Sequence, residues 1–176
     1  MLHHGRYFFW SQKCYKPETH ICLQLAMWAL AAASSAHLQH MRESLYMHAR
    51  SRLEALDNDI ESTSAASLQA AQAWLLLTHY EFRYMGYRRA WLTAGRAFRI
   101  IQLAKLHEID RANGIDVNIT LPEVWAEAEE KRRTYWLAYC LDRLLNMFDE
   151  WPISLQEEAV SNTITSKSIN LGSKLC

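Results

Sequence analysis

Apolar positions recur along this chain at helical spacing, and the breaks between the recurrences divide it into five helices. The first helix is expected from about Pro17 to Ala33, with proline in a first turn that tolerates it. Its segment ICLQLAMWALAAASSA is too short for the ~20 apolar residues of a membrane span, and Gln24 interrupts it, so a buried helix is the expectation. Ser34 and Ser35 mark a break, with Ser35 able to cap the next helix. That second helix runs to about Leu56 and places Leu38, Met41, Leu45, His48, Ala49 and Leu53 on one face. The polar stretch DNDIESTS reads as a loop.

A third helix is expected over about Ala65 to Met85, carrying Leu68, Trp74, Leu75, Leu76 and Leu77, with Gly86 ending it through a positive φ. The fourth covers about Tyr87 to Ile109. Trp91, Ala94, Ala97, Phe98, Ile101 and Ala104 share its apolar side, and Arg88, Arg89, Arg96 and Arg99 share the other. RANGIDVNI is a loop with an Asn-Gly turn signal. Thr120 and Glu123 form a capping box that opens the fifth helix, with Pro122 in its first turn. This helix starts with many charges, including the favourably oriented pairs Glu127/Lys131 and Glu129/Arg133. It then becomes apolar on nearly every side, which predicts burial. Asp142 and Arg143 fall in the apolar part, where an unpaired charge is costly. They read as a buried ion pair that fixes helix register, ahead of contacts to a ligand. Trp151-Pro152 ends the helix. Residues 1–16 are expected to be irregular, 17–160 to form the folded region, and 161–176 to be a disordered tail.

Composition supports an all-α fold of about five mainly antiparallel helices in a layered array. Half of the 176 residues are hydrophobic, while glycine and proline are scarce. Nineteen basic residues balance nineteen acidic ones, without the basic excess that phosphate-gripping domains carry. The four cysteines, Cys14, Cys22, Cys140 and Cys176, are scattered and contain no CxxC pair, so they read as reduced thiols.

Candidate chemistry is sparse. Glycine-rich phosphate loops, nucleophile elbows and HExxH are all missing from the sequence. His37, His40 and His48 share a predicted helix, and His20 is near Cys22, but neither group has familiar metal-ligand spacing. The arginine stripe of the fourth helix reads as a solvated face. The Lys131–Arg133 cluster reads as helix-face ion pairing rather than a nuclear-import patch. No catalytic, cofactor-binding or metal residue is therefore assigned.

The run EEKRRTYWLAYCLDRLLNMFDEWPISLQEE resembles the signature helix of the fungal-specific transcription factor domain, the regulatory middle region of zinc-cluster regulators of the xylanolytic-activator type. The matching positions are Glu129, Arg132, Arg133, Tyr135, Trp136, Tyr139, Asp142, Arg143, Trp151 and Pro152. Two upstream runs, Cys22 to Arg50 and Gly86 to Asp110, are similar to other helices of the family and follow in its order. Glu150 stands where the family often has glycine before the turn. The family's six-cysteine cluster and the helices beyond the turn have no counterpart here, so a truncated domain is expected.

The resemblance implies a nuclear regulatory and interaction domain, with protein partners or self-association through helical surfaces and no membrane. Zinc and DNA would be bound only by a cluster missing from this chain, and the chain itself would hold no cofactor. The signature residues would be structural. The alternative is a small helical ligand-binding protein or enzyme with its site among the bundle aromatics.

Overall fold

A computed structural model describes residues 4–13, 15–58, 67–109, 122–147 and 152–155, and in these every regular element is helical. In chain order they are α1 (His4–Ser11), α2 (Glu18–Ser34), a 3-10 turn (Gln39–Met41), α3 (Arg42–Asn58), α4 (Leu68–Tyr84), α5 (Tyr87–Leu103), a second 3-10 turn (Leu106–Glu108) and α6 (Pro122–Asn146). The helix pairs α2/α3 and α4/α5 pack on each other mainly through α2 and α4, and α6 lies against α5 and α4. The core lies between these layers and is rich in alanine on α2, α4 and α5, which lets helix backbones approach closely. Trp74, Tyr46, Tyr80, Leu23, Leu53 and Ile101 fill the larger spaces.

Helix boundaries follow local chemistry. Pro17 precedes α2 as expected, and Ser67 caps α4 by accepting a hydrogen bond from the Ala70 amide at 3.1 Å. Gly86 has φ +111°, a backbone conformation that side chains disfavour, and it joins α4 to α5 in a tight corner. There the amides of both Met85 and Gly86 donate to the carbonyl of Glu81, each at 2.9 Å.

Several sequence expectations are corrected. The N-terminal segment contains α1, a helix held by aromatic contacts: Tyr7 packs edge-on against Trp10 at 5.0 Å, and Trp10 against His20 of α2 at 4.7 Å. Ser35 is the C-cap of α2, in extended conformation, rather than the start of α3. A turn and the first 3-10 turn intervene, so α3 begins only at Arg42. Leu38 and Met41 are consequently exposed, and the buried face of α3 is Tyr46, Ala49 and Leu53.

The fourth predicted helix is broken near its end. Lys105 adopts φ 51°, ψ 38°, the left-handed conformation that terminates α5. The fifth was expected to be buried on all sides, yet α6 buries one face and leaves another in solvent. Ala138, Leu141, Asp142 and Leu145 face inward, whereas Trp125, Trp136, Leu137, Leu144 and Met147 are exposed. α5 and α4 cover only one side of the helix, so its full apolar girdle has too few neighbours. The Thr120–Glu123 capping box, Trp151 and the 161–176 tail lie outside the described residues.

Candidate functional site

Three polar clusters lie inside the helical layers, and their residues come from different elements. In the first, Glu81 of α4 is completely buried. Its Oε1 accepts hydrogen bonds from the Tyr46 hydroxyl at 2.5 Å and from the Arg50 guanidinium. Arg50 also donates to Thr93 of α5 at 3.2 Å and to Glu54 at 2.9 Å. Arg89 approaches the same carboxylate at 3.7 Å and lies over the Tyr46 ring. One buried carboxylate thus ties α3, α4 and α5 together. Burial, reinforced by the bond to Glu81, pushes the Tyr46 hydroxyl up to about 12.

This cluster changes the picture of the arginine stripe. Arg96 lies over the Trp74 ring at 5.1 Å and near Glu54 and Asp57, at 3.8 and 3.6 Å. Arg89 and Arg96 therefore bridge α5 to acidic residues of α3 and α4 at the rim of the core. Arg88 and Arg99 are exposed. The alternation of arginine with apolar positions on α5 looks the same for a solvated face and for a bridging one; only the acidic residues of α3 and α4 distinguish them.

The second cluster joins α4 to α6. The Gln72 amide donates to the Glu130 carboxylate at 3.0 Å and to the Thr134 hydroxyl at 3.1 Å, and Thr134 donates to the Glu130 carbonyl at 2.8 Å. All three residues are buried.

The third cluster is built from the signature residues. Asp142 is fully buried. Its Oδ2 accepts the backbone amides of Ser154 at 2.9 Å and Leu155 at 2.8 Å, while Oδ1 accepts the Asn146 amide at 2.7 Å. The adjacent Arg143 reaches Asp142 at 3.3 Å, stacks over the Tyr139 ring at 4.2 Å, and donates to the Leu155 carbonyl at 3.0 Å. Gln102 of α5 donates to the Ser154 carbonyl at 3.0 Å. Residues 152–155 are thereby clasped back onto α6 and α5, and Leu155 is inserted into the core. Pro152 is exposed on this clasped segment. Trp91 and Tyr87 of α5 complete the junction by donating to the Asn146 side chain at 3.3 Å and to the Leu145 carbonyl at 2.6 Å.

The remaining signature residues lie elsewhere on α6. Glu129 accepts from Arg132 at 2.5 Å and from Arg133 at 2.8 Å, and the Arg133 bond, aided by Arg132, lowers its pKa against the opposing effect of burial. The Lys131–Glu127 pair closes at 2.7 Å. Tyr135 points inward and Trp136 outward, the latter edge-on to Tyr139 at 5.8 Å. The structure therefore brings Asp142, Arg143 and Pro152 to one place, keeps Glu129, Arg132 and Arg133 about three turns away along α6, and separates Tyr135 from Trp136.

Among the described residues no group of three or more His, Cys, Asp or Glu side chains is placed to hold a metal ion, and no helix is long and apolar enough to cross a membrane. His37, His40 and His48 are exposed, Cys22 is buried and Cys140 exposed, both as free thiols.

The described residues thus form an all-helical array closed by the signature helix, with buried polar clusters that join its layers. Residues 2–158 match the fungal-specific transcription factor domain, and the chain belongs to that family. It is 45% identical over 166 residues to a pigment biosynthesis transcriptional activator of Monascus ruber, covering 93% of this chain and 30% of that protein. It is 41% identical over 155 residues to a tropolone cluster transcription factor of Talaromyces stipitatus, covering 88% and 27%. A citrinin biosynthesis transcriptional activator of Monascus ruber is 38% identical over 174 residues, covering 98% and 33%. The chain thus spans about 30% of the length of these relatives. These relatives are transcription factors, not enzymes. No solved structure matches the chain significantly.

Proposed function

We propose that this chain is a regulatory and interaction module for transcription of a fungal secondary-metabolite gene cluster, acting in the nucleus. The observation that carries this reading is its 45% identity, over nearly its whole length, to a pigment biosynthesis transcriptional activator. The geometry is consistent with it. The signature charges Glu129, Arg132, Asp142 and Arg143 are engaged in bonds within the chain. They serve the architecture and are not directed at a substrate. The charge balance offers no phosphate-gripping excess, so DNA contact and zinc binding belong to a separate six-cysteine module of the full-length regulator. Protein partners meet this module through its helical surfaces.

Two measurements test the proposal. Fused to an unrelated DNA-binding domain in fungal nuclei, the chain should change reporter output, and the clasp variant Asp142→Ala should reduce that change. In a mobility-shift assay the chain alone should not recognise cluster promoters. Zinc-dependent, sequence-specific binding by the chain alone, or a fusion with no effect on the reporter, would overturn it.

A further inference from the structure

Ser154 is set apart from every other described hydroxyl residue, because it is both exposed and outside any helix. The described threonines, Thr19, Thr78, Thr93 and Thr134, are buried, and the other exposed serines, Ser34, Ser44 and Ser51, lie within α2 and α3. Pro152 and Ile153 beside it are exposed as well. The sequence around it is DEWPISLQEE: Glu157 and Glu158 follow the serine, and no lysine or arginine occurs from 144 to 166. The backbone of Ser154 lies between two arginines. Its amide donates to Asp142 at 2.9 Å, and Arg143 donates to Asp142 at 3.3 Å and to the adjoining Leu155 carbonyl at 3.0 Å. From α5, Gln102 donates to the Ser154 carbonyl at 3.0 Å and accepts from Arg99 at 3.3 Å. Arg99 is exposed, so its long side chain can turn from Gln102 toward the serine hydroxyl without leaving water.

We propose that Ser154 is a phosphorylation site and that its phosphate locks the clasp. An acidophilic protein kinase transfers the γ-phosphoryl group of ATP. The bond from Ser154 Oγ to phosphorus forms, the bond from phosphorus to the bridging oxygen breaks, the hydroxyl proton passes to the kinase's base, and ADP leaves. Glu157 and Glu158 are the acidic determinant such a kinase reads. Leu155 after the serine disfavours a proline-directed kinase, and the missing upstream cations disfavour a basophilic one. The amides of residues 154 and 155 are bonded to Asp142, so the kinase acts on the segment when it has lifted. Phosphoserine carries a charge of about −1.5 to −2 at neutral pH and three acceptor oxygens. On return, Arg143 and Arg99 close on it with charge-assisted hydrogen bonds, and α5 and α6 then hold residues 152–155 through one dianion. Asp142 repels the phosphate, but Arg143 already neutralises Asp142, and Arg99 tips the balance toward closure. The lock stands on the clasp geometry and does not depend on the regulatory reading.

Two measurements test the lock. The 176-residue chain, incubated with ATP and an acidophilic serine kinase, should gain a phosphate on Ser154, read by mass spectrometry of its peptides. The double variant Glu157→Gln/Glu158→Gln should slow that reaction by about tenfold or more. Separately, the chain with phosphoserine incorporated genetically at position 154 should melt about 2–4 °C above the unmodified chain. Arg99→Ala should remove most of that rise and leave the unmodified midpoint within about 1 °C. Arg88→Ala, at another exposed arginine of α5, should leave the rise intact. Three results would each overturn the proposal: no phosphate on Ser154, a midpoint unchanged or lowered by phosphoserine, or a rise indifferent to Arg99→Ala. None of them bears on the reporter assay, which tests the regulatory reading by itself.

Discussion

Asp142 is the residue on which the end of the described fold depends. Its two oxygens accept four hydrogen bonds, two of them from the backbone of residues 154 and 155. Asp142→Ala leaves the buried Leu155 amide without its acceptor and frees the segment that seats Leu155 in the core. A buried donor left unsatisfied costs about 1–3 kcal/mol, and the lost anchoring of Leu155 adds to it. We expect a loss of about 3 kcal/mol in urea unfolding. Asp142→Asn, which keeps one accepting oxygen, should lose less. Glu81 makes a contrasting case. Glu81→Gln removes the charge that balances the largely buried Arg50, a change of the kind that costs about 3–5 kcal/mol. Tyr46→Phe removes one hydrogen-bond donor and should cost only about 1 kcal/mol. A double-mutant cycle between positions 46 and 81 measures their coupling, and additivity within about 0.5 kcal/mol would show that the cluster does not act as a unit.

The helix ends invite a paired test at the level of elements. Gly86 and Lys105 both have positive φ, one filled by glycine and one not. A Cβ at Gly86 would meet nothing within 4 Å, so Gly86→Ala isolates the backbone effect and should destabilise by about 1 kcal/mol or more. Lys105→Gly relieves the left-handed strain and should stabilise by up to about 1 kcal/mol, read as a higher thermal midpoint. The two positions also show how legible these elements were from the sequence. Gly86 announced the corner between α4 and α5, because glycine is the residue that corner requires. Lys105 carries no such signal, so the periodic pattern runs past the true end of α5. Tyr46 was missed for a related reason: its ring belongs to the core face of α3, but its hydroxyl serves Glu81, thirty-five residues away. The signature clasp was legible only as a resemblance. Asp142 and Arg143 are neighbours in sequence, and nothing in that adjacency tells that both would hold the backbone of residues 154 and 155. The sequence reading expected a buried ion pair; Asp142 is buried, Arg143 is only partly so, and their backbone partners were not foreseen.

At the scale of the whole molecule, titration links the buried groups to global stability. Burial pushes the Cys22 thiol up from its ordinary value of 9.0 to about 12, with the Glu18 carboxylate adding to the shift. Tyr46 rises likewise from 10.0 to about 12. Above pH 9 the unfolded chain therefore releases protons that the folded chain keeps, and stability falls as pH rises. The Cys22 contribution is intact below pH 9 and lost between pH 9 and 12, and the Tyr46 contribution is intact below pH 10 and lost between pH 10 and 12, each on the order of 1 kcal/mol per pH unit. On the acid side, Glu129 is held below its ordinary value of 4.5 by Arg133 and Arg132. Its stabilisation is present above that pH and lost on acidification, but the half-exposed Arg133 makes it small and sensitive to salt. The expected profile is a thermal midpoint that declines steeply on the alkaline side. Cys22→Ala and Tyr46→Phe should each flatten that decline while lowering the plateau. If neither variant changes the alkaline slope, the loss of stability arises elsewhere, and these two core groups do not govern it.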